Sequence, residues 1–159
     1  MKDIRVGSGY DVHQLVEGRP LILGGVHIDY SKGLSGHSDA DVLLHTIIDA
    51  LFGAVALGDI GSHFPDDEEE FKNIDSRKLL IETAKKIRNR EWKIGNIDAT
   101  IVAQEPRLAA YIDQMRDNIA NDLDIAKDHI SVKATTSEEL GFEGEKKGIS
   151  ARTSVLVYK

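Results

Sequence analysis

The tripeptide Asp11-Val12-His13 lies in a stretch, residues 4 to 13, whose residue types alternate with the two-residue period of a β-strand. Ile4, Val6, Tyr10 and Val12 share one face, while Arg5, Gly7, Gly9, Asp11 and His13 share the other. Strand residues two apart project the same way with Cα atoms ~6.6 Å apart, so Asp11 and His13 can both reach one metal ion. The glycines beside them leave room for a ligand against the backbone. A plainer reading is an edge strand showing polar residues to water. On this tripeptide alone the plainer reading prevails.

His37, Asp39, Asp41 and His45 form a second group. His45 stands one turn after Asp41, on the same helical face, and interrupts an otherwise apolar segment. A lone buried histidine is more often a hydrogen-bonded core residue than a ligand. The balance shifts because Asp11 and His13 can supply the remaining contacts. Two histidines and one carboxylate with an open fourth position make a common catalytic zinc set. The same donors also suit non-haem Fe(II), so the ligands alone do not name the metal. The chain has no cysteine, which excludes disulfides and thiolate sites.

The third group is Thr135-Thr136-Ser137-Glu138-Glu139. T-x-x-E is a capping box, and taken alone this run favours that local role. The alternative is a phosphate site of hydroxyls and helix-start amides, with Glu138 on a divalent metal. The acidic run from Asp66 to Glu70 reads as a solvated loop without the spacing of a calcium loop. G-x-G-x-x-G after a strand is absent.

These groups need elements to hold them. A second extended piece, Leu21 to Ile28, turns at Gly24-Gly25. Ser38-Asp39-Ala40-Asp41 predicts a helix from about Ala40 to Leu57, apolar on nearly all sides and therefore buried or at a subunit contact. Gly58 to Asp75 is a loop, and Ser76 to Arg90 an amphipathic helix with Leu80, Ala84 and Ile87 inward. Ile97 to Ala103 reads as a strand. Pro106 starts a helix with a stripe of Leu108, Ile112, Met115 and Ile119. Ile130 to Ala134 and Ala151 to Val157 are the last strands. The expected fold is an α/β (α+β) sandwich, helices packed on a mixed sheet, in a single domain spanning 1–159.

Composition narrows the function. With 41% hydrophobic and 30% charged residues the chain reads as an ordinary soluble protein. A net charge of −7 argues against a nucleic-acid surface. Phosphate binding would then need local positive charge, which metal ions supply. Val42 to Leu57 falls short of a membrane span, and the first residues carry no signal-peptide pattern, so a cytoplasmic location is expected.

Taken in order, GYDVH at 9–13, LILGGVHI at 21–28, GLSGHSDADVLLH at 33–45, ALGDIGSHFPD at 56–66, DSRKLL at 75–80, NIDATIVAQEPRL at 96–108 and VKATTSEELGF at 132–142 resemble the 2-C-methyl-D-erythritol 2,4-cyclodiphosphate synthase family of the non-mevalonate isoprenoid pathway. The resemblance implies zinc on Asp11, His13 and His45, with Val12 beside them. It places His37 and Ser38 on the substrate phosphates. Asp59, Ile60, Gly61, Phe64, Pro65, Asp66, Asp67 and Glu68 would enclose the methylerythritol part. Ala103, Gln104, Glu105, Pro106, Arg107, Leu108 and Ala109 would bind cytidine together with Ala134, Thr135 and Thr136. Ser137 follows these, and Glu138 would carry magnesium or manganese. His37, Thr136 and Glu138 would be the catalytic residues, with Phe142 and Glu145 near the substrate. Many relatives carry arginine where Glu145 stands, followed here by Lys146 and Lys147.

The reaction so implied is attack of the substrate's 2-phosphate on the β-phosphorus of its cytidine diphosphate, with release of CMP, in a homotrimer whose sites lie at subunit junctions. The alternatives are a zinc-dependent phosphohydrolase and a metal-stabilised binding module. The first releases linear phosphate, and the second needs a closed four-ligand site.

Overall fold

The alternation at the start of the chain builds β1 (Ile4–Val16), the strand around which the candidate site is arranged. The structure, a computed structural model, describes residues 3–159. After β1 come a hairpin of β2 (Leu21–Leu23) and β3 (Val26–Ile28), a short β4 (Gly33–Leu34) and the helix α1 (Val42–Ala54). A single turn α2 (Ile60–His63), α3 (Ser76–Arg88), β5 (Lys93–Val102), α4 (Ile112–Leu123), β6 (Ile130–Thr135), a short α5 (Gly141–Gly144) and β7 (Gly148–Tyr158) follow.

The main sheet has the order β4-β1-β7-β5-β6, with only β5 and β6 parallel. Its register is informative. Asp11 pairs with Ala151, Ala151 with Ile101, and Ile101 with Ala134. The row that carries the acid of the first motif therefore runs straight to the strand end of the third. Three interstrand steps separate them, about 14 Å.

Helices cover one face of this sheet and leave the other bare, giving the expected two-layer α/β arrangement. Gly7 and Gly9 allow α1 to lie directly on β1. A Cβ at Gly7 would stand 2.0 Å from the carbonyl oxygen of Ala50, and one at Gly9 2.1 Å from that of Thr46. No side chain fits there, and this close approach is what brings the α1 residue His45 over Asp11 and His13. A buried hydroxyl pair, Thr46 Oγ1 and Thr153 Oγ1 at 2.6 Å, ties α1 to β7 as well. Leu43, Leu44, Ile47, Ile48, Leu51 and Phe52 are all fully buried. Each contributes about 1.5–3 kcal/mol relative to exposure.

Several expectations change. The helix α1 starts at Val42, because Asp41 is the N-cap and takes the N–H of Leu44, while Ala40 lies at φ 57°. Ser38 does not cap it and instead accepts the N–H of Ala40. All of α1 except His45, Asp49 and Gly53 is buried against β1, β7 and α3. Its apolar character is thus used up within one chain, and no subunit contact is needed to explain it. A stripe of large exposed apolar side chains sits on β1 instead, where Ile4, Val6, Tyr10 and Val12 face outward on the bare side, while Ile81, Leu140 and Phe142 are exposed elsewhere.

Pro106 opens no helix. The stripe from Leu108 to Ile119 is real, but Leu108 is buried from a loop that closes with the Tyr111 N–H on the Leu108 carbonyl, and α4 begins at Ile112. Periodicity ran one element too far because a turn can place a side chain where a helix would. The loop from Gly58 to Asp75 contains α2, capped by Asp59, and one turn of 3-10 helix at Glu69–Phe71. The Gly24-Gly25 turn forms as expected, with both residues at positive φ (58° and 70°), and its two N–H groups donate to the Asp41 carboxylate. Burial, then the neighbouring Asp39, pushes the Asp41 carboxyl up to about 6 against these hydrogen bonds. Asp41 is a fastener between hairpin and helix and does not share a site with His45. Among the described residues no helix is long and apolar enough to cross a membrane.

Candidate metal centre and its cavities

On β1, Asp11 and His13 project toward α1, and His45 projects back from the first turns of that helix. Oδ2 of Asp11 lies 2.9 Å from Nε2 of His13 and 3.1 Å from Nδ1 of His45, and the two ring nitrogens are 3.2 Å apart. A tetrahedral zinc with ligand bonds of about 2.0–2.2 Å needs neighbouring donor atoms about 3.3 Å apart. The three atoms therefore already form one face of such a tetrahedron. Among the described residues this is the one group of three or more potential donors gathered closely enough to hold a metal ion. The donor set leaves a fourth position open to the cavity above it.

Electrostatics agrees with a site meant for a cation. Burial raises the Asp11 carboxyl, but hydrogen bonds from His13 and His45 and their charge outweigh it and hold Asp11 well below the usual carboxylate range. Burial lowers the His13 imidazole, while the Asp11 carboxylate and the Ser35 carbonyl more than reverse this and raise it. Without a metal, protons take its place between these groups, so metal uptake weakens as pH falls and protons compete. The Nδ1–H of His13 donates to the Ser35 carbonyl at 2.7 Å, so the proton a metal would displace is the one on Nε2, whose lone pair then faces the ion.

The cluster forms one wall of a cavity of about 400 Å³. His37, Ser38, Asp59, Ile60, Gly61, Phe64 and Asp66 line it too. His37 is turned by a hydrogen bond from Nε2 to the Glu68 carbonyl at 3.2 Å. Asp59 caps α2 by accepting from Ser62, and those bonds hold its carboxyl below the usual range. Pro65, Asp67 and Glu68 do not line the cavity, and Val12 points to the opposite face of the sheet. Tyr10, Asp49 and Phe71 line it and were not expected. Asp49 carried a signal in the sequence, since it lies four residues after His45 and is the other polar break in the apolar segment. Its carboxylate accepts the Ile60 N–H at 3.1 Å and so positions α2.

A second cavity of about 300 Å³ lies at the far edge of the sheet. Ala103, Gln104, Pro106, Arg107, Leu108, Ala109, Ala134, Thr135 and Thr136 line it, and it shares no residue with the first. Glu105 is turned away and pairs with Lys146 at 2.8 Å. Glu145 pairs with Lys147.

The Thr135-to-Glu139 run forms neither a capping box nor a helix start. Ser137 donates to the Leu140 carbonyl, α5 begins at Gly141 without a side-chain cap, and Glu138 and Glu139 both have positive φ, 54° and 63°. Left-handed backbone costs about 1–2 kcal/mol per non-glycine residue. Glu138 is exposed and lies apart from the three-donor cluster, and Phe142 packs beside Gly148.

Fold and site together define a class: an α/β sandwich with a preformed two-histidine, one-carboxylate metal site at a strand–helix junction. The chain belongs to the YgbB family, whose sequence model matches residues 4–158. It is 57% identical over 157 residues to the 2-C-methyl-D-erythritol 2,4-cyclodiphosphate synthase of Thiobacillus denitrificans, covering 99% of this chain and 98% of that one. It is 59% identical to the synthase of the same name from Burkholderia mallei, covering 99% and 97%. Among solved structures, the bifunctional IspDF from Campylobacter jejuni superposes with a TM-score of 0.96 at 44% identity, over 99% of this chain and 43% of that longer one. IspF of Plasmodium falciparum, solved as a CDP complex, superposes with a TM-score of 0.85 at 36% identity, over 97% and 95%.

Proposed function

We propose that this protein converts 4-diphosphocytidyl-2-C-methyl-D-erythritol 2-phosphate to 2-C-methyl-D-erythritol 2,4-cyclodiphosphate and CMP. An oxygen of the 2-phosphate bonds to the β-phosphorus, the bond from that phosphorus to the bridging oxygen breaks, and CMP leaves with the electron pair. The single observation that carries this reading is the placement of three preset metal donors in the wall of a cavity that His37, Ser38 and α2 complete. Membership of a family whose relatives are named for this reaction, and a neighbour solved with CDP, support it.

Asp11, His13 and His45 would hold zinc, and Glu138 magnesium or manganese. The chemistry a bound ion supplies is neutralisation of phosphate oxygens as charge moves to the leaving group. The chain's own task is positioning. His37 and Ser38 line the cavity beside the donors and hold the reacting phosphate against them, while Ile60, Gly61 and Phe64 enclose the polyol and exclude water. Orienting two groups that repel one another is worth about 7–11 kcal/mol in well-matched intramolecular reactions. The cavity of Ala103 to Ala109 with Ala134, Thr135 and Thr136 takes the cytidine. We place the reaction in the cytoplasm, with its water-soluble substrate.

Within one chain the two cavities lie about three strands apart, ~14 Å, which argues for a site completed by a neighbour. We therefore propose a homotrimer, its junctions joining the metal half of one subunit to the cytidine half of the next. The outward apolar residues of β1 (Ile4, Val6, Tyr10 and Val12) suit burial along such an assembly. The functional reading is tested by stripping the protein with a strong chelator. Turnover should vanish, and zinc added back together with magnesium should restore it. Full activity in protein shown by mass spectrometry to hold no metal would refute the reading.

A further inference from the structure

The sequence Asp75-Ser76-Arg77 opens α3 behind the metal site. Asp75 caps the helix, but Ser76 is fully buried and faces the back of the metal site. Its Oγ lies 3.0 Å from Nε2 of His45 and also touches Oδ1 of Asp39. The second oxygen of Asp39 takes the Ser76 backbone N–H at 3.0 Å, so one carboxylate grips both donors of one serine.

The direction of each bond follows from counting protons. A hydroxyl has one proton, and a carboxylate only accepts. The Ser76 proton goes to Asp39, so Oγ presents a lone pair to His45, and Nε2 of His45 must carry the ring hydrogen. Nδ1, beside Asp11 and His13, is then the nitrogen that gives up its proton and offers its lone pair when a metal binds. Ser38 Oγ stands 3.2 Å from the same Nε2, but it lines the cavity, accepts the Ala40 N–H and is tied to no carboxylate, so it does not dictate the tautomer. The parallel with His13 is close, since there the Ser35 carbonyl plays the same accepting part.

We propose that Ser76, anchored by Asp39, is a positioning residue that fixes the tautomer and ring orientation in which His45 meets the metal. The proposal rests on the metal-site reading, and its test measures binding rather than turnover. Zinc affinity is determined by competition with a chromogenic chelator for the parent, Ser76→Ala, Ser76→Thr and Asp39→Asn. Outer partners of metal-bound histidines are worth about 10–100-fold in affinity, and a loss in that range is expected for Ser76→Ala. Ser76→Thr restores the hydroxyl and should recover most of it. Asp39→Asn should weaken binding as well, because an amide can donate to Ser76 and free its proton to turn toward His45.

Failure of the parent to bind zinc would overturn the metal-site reading itself. Tight binding by the parent, unchanged in folded Ser76→Ala, would overturn this inference alone. Nitrogen-15 NMR of the zinc-loaded parent decides the matter even if the variants do not fold. A slowly exchanging His45 Nε2–H close to the Ser76 methylene is expected, and a His45 bound to zinc through Nε2 would overturn the proposal.

Discussion

His45→Ala is expected to lower turnover by about 10³-fold or more, since losing several kcal/mol of charge stabilisation costs a factor of ten for each 1.36 kcal/mol. Zinc recovered with the purified variant should fall from one per chain to a trace. The fold should survive. His45 is one of three positions of α1 that are not buried, ten others hold the helix in place, and alanine is the better helix former. Metal analysis beside circular dichroism separates the two effects. Stoichiometric zinc with retained activity would remove His45 from the ligand set, and collapse of the helical signal would mean that its bonds to Ser76 and Ser38 matter chiefly to folding.

Mixing two dead variants is expected to bring activity back. On the proposed reading His45→Ala spoils the metal half, and Glu138→Ala removes the carboxylate that would carry a divalent ion beside the cytidine half. If the junction model holds, neither homotrimer turns over. Unfolded together and refolded, they form random hybrids in which about a quarter of the junctions join an intact metal half to an intact cytidine half. Activity near that fraction of the parent's, measured per junction, is the expected outcome. The alternative, with both halves of each site on one chain, predicts a mixture as inactive as its components. The separation of the two cavities across the sheet motivates the experiment, and a dead mixture would return the site to a single subunit.

The metal donors were legible because each obeys a short-range rule. Asp11 and His13 share a strand face by the period of two, and His45 interrupts an apolar helix. Gly7 and Gly9 were visible as space for a ligand, but their larger use is to admit α1, and no local pattern shows which backbone will press on a glycine. Ser76 was hidden for another reason. Its partners, Asp39 and His45, lie 37 and 31 residues away, and its own neighbourhood reads as an ordinary helix start. The Thr135-to-Glu139 run misled in the opposite direction. Its letters match a capping box, yet left-handed backbone at Glu138 and Glu139 carries the chain past the point where a helix would begin. The apolar run of α1 fits a subunit contact as well as a core, because hydrophobicity reports burial without naming the partner. The apolar residues of β1 share one strand face by the period of two, but only the sheet's one-sided cover shows that this face is outward.

In the proposed reaction the attacking group is the substrate's own phosphate. Phosphorus NMR of the products from 4-diphosphocytidyl-2-C-methyl-D-erythritol 2-phosphate, with zinc and magnesium present, tests it most directly. Two mutually coupled diphosphate resonances from one cyclic product, appearing in step with one equivalent of CMP, are the predicted result. Two uncoupled phosphomonoester resonances of a linear 2,4-bisphosphate released with CMP, or inorganic phosphate cut from the 2-position, would show that water is the nucleophile and contradict this reading.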